Sequence, residues 1–241
     1  MRRSAFRGWP LFQRVHASVL RELARTARDV RVPRGGVFYE QGASPGVVHL
    51  LLRGRVKLIW AGSADHRVIL GFAEPGDPFD LVAMVLNTPH RCSARAVEDC
   101  QALTWSRSAV LQSMERCPQI AANALRLFAS RLAEAWDAFA DLVTSPVEPR
   151  LARALTRLTH VRGAADGSDT APPLRLGQRD LAACIGTTSF TVSRILSQWE
   201  RDGLVDVHRE RVVIRRLGQL QHIAEAITPV LAVPRRPGGS A

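Results

Sequence analysis

The sequence predicts an α+β chain in three parts: a β-rich N-terminal module, one long helix, and a C-terminal helix, turn and helix followed by a β-hairpin. Three observations carry this prediction. Residues 30–105 break into short apolar runs between turn residues; 118–143 hold apolar residues at 3-4 spacing after a proline; and 176–214 alternate helical periodicity, a glycine turn and two β-rich runs. The 241 residues suffice for one large or two ordinary domains, and 46% hydrophobic content suffices for packed cores.

Taken in order, residues 1–20 are rich in arginine and free of acidic residues, with Arg2-Arg3 superficially like an export signal. No apolar core follows that pair, and no apolar stretch is long enough to cross a bilayer, which makes the cytoplasm the expected location. Residues 11–28 predict an amphipathic helix with Leu11, Phe12, Val15, Val19, Leu20 and Leu23 as its apolar set. Short strands are predicted at 36–39, 47–52, 55–60, 68–72 and 102–105, between turn signals at Gly35-Gly36, Gly42, Gly54, Gly62 and Pro75-Gly76. Such spacing indicates a barrel or sandwich, hence a ligand container or an interaction module.

A short helix is predicted at 110–114, and Pro118 opens a long one reaching about residue 143. Along it Leu125, Phe128, Leu132, Ala135 or Trp136, Phe139 and Leu142 follow a 3-4 spacing. That stripe packs either on its own barrel or against a second copy. A dimer seam of Leu125, Phe128, Leu132 and Phe139 is the preferred expectation, because a lone helix after a closed barrel has little else to bury against. Thr144-Ser145-Pro146 breaks the helix and provides a hinge. Beyond it come a helix at 148–158, a polar loop at 163–173, a last helix at 217–227 and a frayed tail at 234–241. The predicted domains are 1–115 for the β module, 116–144 for the dimerisation helix and 147–230 for the C-terminal domain, with 231–241 as flexible tail.

The stretch 176–214 is the most informative. Leu181, Cys184 and Ile185 recur at helical spacing, with Cys184 read as a small core residue, and Gly186 stands where a left-handed C-cap residue is wanted. Thr187 and Thr188 can cap a second helix whose Val192, Ile195, Leu196 and Trp199 share one face. The opposite face carries Ser189, Phe190, Ser193, Arg194 and Ser197. Two β-rich runs, 204–208 and 211–215, flank Arg209-Glu210 as a hairpin with a basic tip. Helix, turn, helix and basic wing in that order form a winged helix-turn-helix, whose second helix reaches base edges in a major groove. A purely structural hairpin is the competing reading.

Charge agrees with a nucleic-acid partner without proving one. The net charge is +11, of which residues 148–241 hold +5, with 14 arginines against 9 acidic residues. Lys57 is the single lysine, so part of the arginine excess reflects compositional bias rather than function. A basic surface predicts salt-sensitive binding through counterion release. Cys92, Cys100, Cys117 and Cys184 have no CxxC spacing and no histidine pair, which argues against a zinc or iron-sulfur site.

The order of parts, with Tyr39-Glu40-Gln41-Gly42, the segment 50–56 (Leu-Leu-Leu-Arg-Gly-Arg-Val), Pro75-Gly76-Asp77 and Thr191-Val192-Ser193-Arg194-Ile195-Leu196, resembles the bacterial regulators related to the cyclic-AMP receptor protein and the fumarate-nitrate reduction regulator, CRP/FNR. The resemblance covers nearly the whole chain. It implies a cyclic-nucleotide-binding-like β-roll with turn glycines at Gly42, Gly54 and Gly76, a long dimerisation helix and a winged helix-turn-helix. The function it implies is that of a homodimeric transcription factor binding double-stranded DNA, and RNA polymerase if it activates. By resemblance Arg194 reads a guanine, Ser193 matches the serine of the fumarate-nitrate branch, and Ser189 and Phe190 occupy the other base-reading places. Gln178, Arg179, Thr188, Thr191 and the wing residue His208 are placed at phosphates. The family usually has glutamate where this chain has Phe190, a residue that either meets a thymine methyl or is buried between the helices.

The resemblance loosens at the effector pocket. Arg91 matches the arginine that holds a cyclic phosphate. Leu81 stands in place of the ribose-binding glutamate, Cys92 in place of a serine, and Ala135-Trp136 in place of the pair that reads adenine. Arg91 is therefore expected either to serve as an anion site or to pair with Asp80 or Asp77, and the effector and cofactor are left unidentified. His49 and His90 are the histidines that could ligate haem, and Cys92 or Cys100 those that could be oxidised. The alternatives of another class are a barrel-type metalloenzyme and a nucleotide-like binding module without regulatory DNA binding. No His-x-His and no Ser-His-Asp or Cys-His constellation supports catalysis.

Overall fold

In the computed structural model, which describes residues 8–63, 66–160 and 173–225, the apolar run 47–52 forms a strand buried on both faces. This strand, β3 (Val47–Arg53), alternates its side chains across the sheet, as the period of two requires. Leu51 joins Val32, Val56, Phe79, Ala94, Ala96 and Ala102 inside the roll, while Val48 and Leu50 join Leu103 and Trp105 on a second core covered by helices. The chain divides into two compact units, Met1–Ala133 and Glu134–Ala241.

The first unit contains two four-stranded antiparallel sheets. One orders β1 (Arg28–Val32), β8 (Cys100–Ser106), β3 and β6 (Pro78–Phe79); the other orders β2 (Val37–Tyr39), β7 (Ser93–Ala96), β4 (Val56–Ala61) and β5 (Arg67–Ala73). Three strands, β1, β6 and β7, were not among those expected. β7 reads Ser-Ala-Arg-Ala, a pattern poor in β-formers, and it is a strand because Ala94 and Ala96 fit the narrow interior at 0% and 2% exposure. Gly42, Gly54 and Gly76 all have positive φ. At Gly54 a Cβ would lie 2.6 Å from both the Asp99 carbonyl and the Cys100 sulfur, so the tight β3–β4 turn admits no side chain.

The predicted helix at 11–28 is shorter and later than expected. Pro10–Phe12 forms a 3-10 turn, and α1 (Ala17–Thr26) starts only after His16, whose ring accepts from the Ser18 amide at 3.3 Å. Leu11, Phe12, Leu20 and Leu23 are nevertheless all buried. Next come α2 (Leu81–Leu86), α3 (Arg107–Arg116) and the long α4 (Pro118–Thr144). Ile120 and Ala124 on α4 complete the helix-covered core. Asn123 Nδ2 donates to the Leu11 and Gln13 carbonyls at 2.9 and 2.8 Å, tying the N-terminal turn to α4. Arg131 pairs with Asp77 at 2.6 Å.

The second unit contains α5 (Val147–His160), α6 (Gln178–Ile185), α7 (Ser189–Arg201), the hairpin β9 (Val205–His208) and β10 (Arg211–Ile214), and α8 (Leu217–Glu225). Leu174 pairs with Val212 through backbone bonds of 2.8 and 2.9 Å, extending the hairpin by one short bridge. Leu151, Leu155, Leu181, Val192, Leu196, Val205, Ile214 and Leu220 are wholly buried between these elements. Trp199 donates its indole N–H to Glu148 at 2.9 Å, which satisfies the polar edge of a buried ring. Arg150 donates to the Leu142 and Ser145 carbonyls, both at 3.1 Å, at the break between α4 and α5. The polar loop and the tail expected at 163–173 and 234–241 fall almost wholly outside the described residues, as does the end of the last helix.

Candidate nucleic-acid interface

α6 ends at Gly186, whose φ of 64° is the left-handed C-cap that the glycine predicted. Thr188 then caps α7, its hydroxyl accepting from the Thr191 amide at 3.2 Å and lying 3.0 Å from the Thr191 hydroxyl. Val192, Ile195, Leu196 and Trp199 face inward, none more than 8% exposed. Ser189, Phe190, Arg194 and Ser197 are exposed and Ser193 is half-buried. Phe190 is 78% exposed, so it does not lie buried between helices. The Arg194 guanidinium is exposed and makes no ion pair among the described residues.

Around this face stand the expected phosphate residues. Arg179, in the first turn of α6, and His208, at the end of β9, are exposed, while Gln178 is half-buried. Thr188 and Thr191 share one hydroxyl–hydroxyl bond, which uses one of their two protons and leaves the other to donate to an oxygen. Arg209 and Glu210 form the exposed tip of the wing, and Arg215 braces the strand beside it by pairing with Asp206 at 2.5 Å. Cys184 is half-buried rather than a full core residue.

The expected effector residues Leu81, Arg91 and Cys92 stand in different surroundings. Leu81 is packed with Leu50, Met84 and Ile120 in the helix-covered core, outside the roll interior. Arg91 is exposed and pairs with neither expected aspartate: Asp80 is held by His49 at 2.6 Å and Asp77 by Arg131. Trp136 is 66% exposed. Cys92 is half-buried, and burial raises its pKa while a hydrogen bond with Tyr39 pulls the other way. Burial pushes the Cys100 thiol up to about 11, which disfavours the reactive thiolate at that position.

The roll instead holds a cluster of rings. His90, 5% exposed, stacks on Tyr39 with centroids 3.9 Å apart. His49, also 5% exposed, stacks on Phe79 at 5.0 Å and meets Phe38 edge-on at 5.3 Å. Burial lowers the His90 pKa, with the nearby His49 adding to the effect, and raises the Tyr39 phenol far above its usual range. His49, a residue of strand β3, and His90 are thus both interior residues. Nothing in the sequence marked them as neighbours, since they lie 41 positions apart.

On α4, Leu125, Leu132 and Phe139 are 69%, 50% and 68% exposed. Phe128 departs from this set, because it packs against the core of its own unit and is only half-exposed.

Residues 29–117 match the family model of the cyclic nucleotide-binding domain and residues 149–223 that of the Crp-like helix-turn-helix domain. The cyclic AMP receptor protein of Thermus thermophilus is 30% identical over 193 residues, spanning 80% of this chain and 86% of that protein. The chain belongs to the CRP/FNR family. A CRP-like cAMP-activated global transcriptional regulator of Mycobacterium tuberculosis is 24% identical over 204 residues, 85% of this chain and 91% of that regulator. The structure of FixK2 from Bradyrhizobium japonicum superposes with a TM-score of 0.73 at 25% identity, over 84% of this chain and 99% of that one. This CRP/FNR protein is a DNA-binding transcriptional regulator with a helix-turn-helix domain. Among the described residues no helix is long and apolar enough to cross a membrane, and no three His, Cys, Asp or Glu are grouped to hold a metal ion.

Proposed function

We propose that this CRP/FNR regulator works in the cytoplasm as a homodimer, whose two α7 helices read two DNA half-sites about one helical turn, ~34 Å, apart. The reading is carried by the outward face of α7, where Ser189, Phe190, Ser193 and Arg194 lie around an unpaired guanidinium while the inward face is fully packed. Arg194 contacts guanine O6 and N7 with both arms of its fork, and Ser189 and Ser193 meet neighbouring base edges. Gln178, Arg179, Thr188, Thr191 and His208 hold phosphates and set the register. Leu125, Leu132 and Phe139 supply the seam between copies, since apolar side chains this exposed on one helix gain by mutual burial. An activator of this kind also engages RNA polymerase.

An effector at the roll biases the seam, and cyclic AMP does not fit that role here. Leu81 has no group to bond a ribose hydroxyl and is turned into another core, Cys92 is a poor substitute for a serine donor, and the stacked Tyr39 and His90 rings take up interior space. A ribose hydroxyl buried without a partner costs about 1–3 kcal/mol.

Arg194→Ala is the test. Discrimination between the selected site and random duplex should fall by roughly 1–3 kcal/mol per half-site, leaving weak binding that salt abolishes. Full discrimination by the variant would overturn the assignment of α7.

A further inference from the structure

Phe190 has the highest exposure among the large apolar side chains of the described residues, at 78%. It stands in the first turn of α7, four residues before the exposed Arg194, so these two side chains are neighbours on one face of the helix. The core of the domain does not use it: Val192, Ile195, Leu196 and Trp199 fill the inward face without its help. Covering this ring removes apolar surface from water, so a partner docked on this face gains by presenting an apolar group to it.

On the major-groove edges of DNA bases, one apolar group is available. Guanine, cytosine and adenine present hydrogen-bond donors and acceptors there, and thymine presents its C5 methyl beside O4. A phenyl ring neither donates nor accepts in the plane of a base edge, so it cannot read cytosine N4 or adenine N6. We propose that Phe190 is a specificity-determining residue that reads the C5 methyl of a thymine in the half-site, next to the guanine read by Arg194. This rests on α7 being the recognition helix.

The experiment begins with selection of sites from random duplex DNA by the full-length protein and by its Phe190→Ala and Arg194→Ala variants. The wild type should select a thymine at one position per half-site that Phe190→Ala leaves unspecified, while Arg194→Ala loses a different position, the guanine. That thymine is then replaced in one half-site by 2′-deoxyuridine, which removes the methyl and nothing else. The replacement should weaken wild-type binding roughly fourfold, the share of one buried methyl group, and leave Phe190→Ala unaffected. Phe190→Glu should move the selected base from thymine to cytosine, whose N4 donates to a carboxylate. Identical selected sequences for wild type and Phe190→Ala, or a deoxyuridine site bound as tightly as the thymine site, would overturn the role of Phe190 while leaving the recognition helix intact. If neither Arg194→Ala nor Phe190→Ala alters a selected site, the recognition helix itself is refuted, and this inference falls with it.

Discussion

Asp80 precedes α2 in the left-handed region, with φ of 69°, and its carboxylate is buried against the His49 ring and the His49 amide at 2.6 and 3.3 Å. Burial pushes its pKa from the ordinary 3.8 up to about 6, although the His49 hydrogen bond and charge pull it down. Because the folded value is the higher one, the folded protein holds this proton more tightly than the unfolded chain does. The stability so contributed is fully present below about pH 4 and is lost as pH rises through about 6. Between those limits wild-type stability should fall by on the order of 2 kcal/mol relative to Asp80→Asn in urea unfolding. A difference between the two proteins that is flat with pH would refute this. At this scale the sequence was only partly legible. The roles of Gly186 and Thr188 followed from local chemistry, since a cap is made within three residues. The partner of Asp80 did not, because His49 lies 31 positions away and nothing local distinguishes it from Arg91.

Among the elements, α4 is the one whose sequence and surroundings diverge most. Its bounds, Pro118–Thr144, match the proline that opens it and the Ser145-Pro146 that follows it. Its faces were less legible, because Phe128 continues the same 3-4 stripe as Leu125 and Leu132 yet belongs to its own unit's core. A periodic stripe states that a helix is buried along a line without naming what buries each residue. Leu132→Glu combined with Phe139→Glu should give monomers in sedimentation while the circular dichroism of the folded chain persists. Dimers surviving both changes would remove α4 as the seam. The strands divide in the same way. Runs rich in Val, Leu and Ile, such as β3 and β4, were legible, whereas β1 alternates charge with valine and β7 is made of serine, alanine and arginine. Their pairing with long-range neighbours, not their composition, makes them strands.

For the whole molecule the relevant quantity is charge and where it acts. The net +11 is spread over both parts of the chain, so the total does not report how many phosphates are touched. The salt dependence of binding does, with a slope of about 0.9 per phosphate neutralised. Arg179→Ala should lower that slope by about 1 per half-site while the selected sequence stays the same. An unchanged slope, or a changed sequence, would move Arg179 out of the phosphate set. The order of roll, helix and DNA-binding domain was legible because each part has its own periodicity and punctuation. The roll's interior was not, because it is assembled from Phe38, Tyr39, His49, Phe79 and His90, contributed by separate segments. That interior carries a practical benefit: Tyr39 is the chain's single tyrosine, and its phenol is kept from ionising by burial first and by Asp80 second. Its ring resonances therefore come from one known place inside the roll. A molecule entering there must disturb the ring stacked on His90, which gives an unidentified effector a label-free spectroscopic signal.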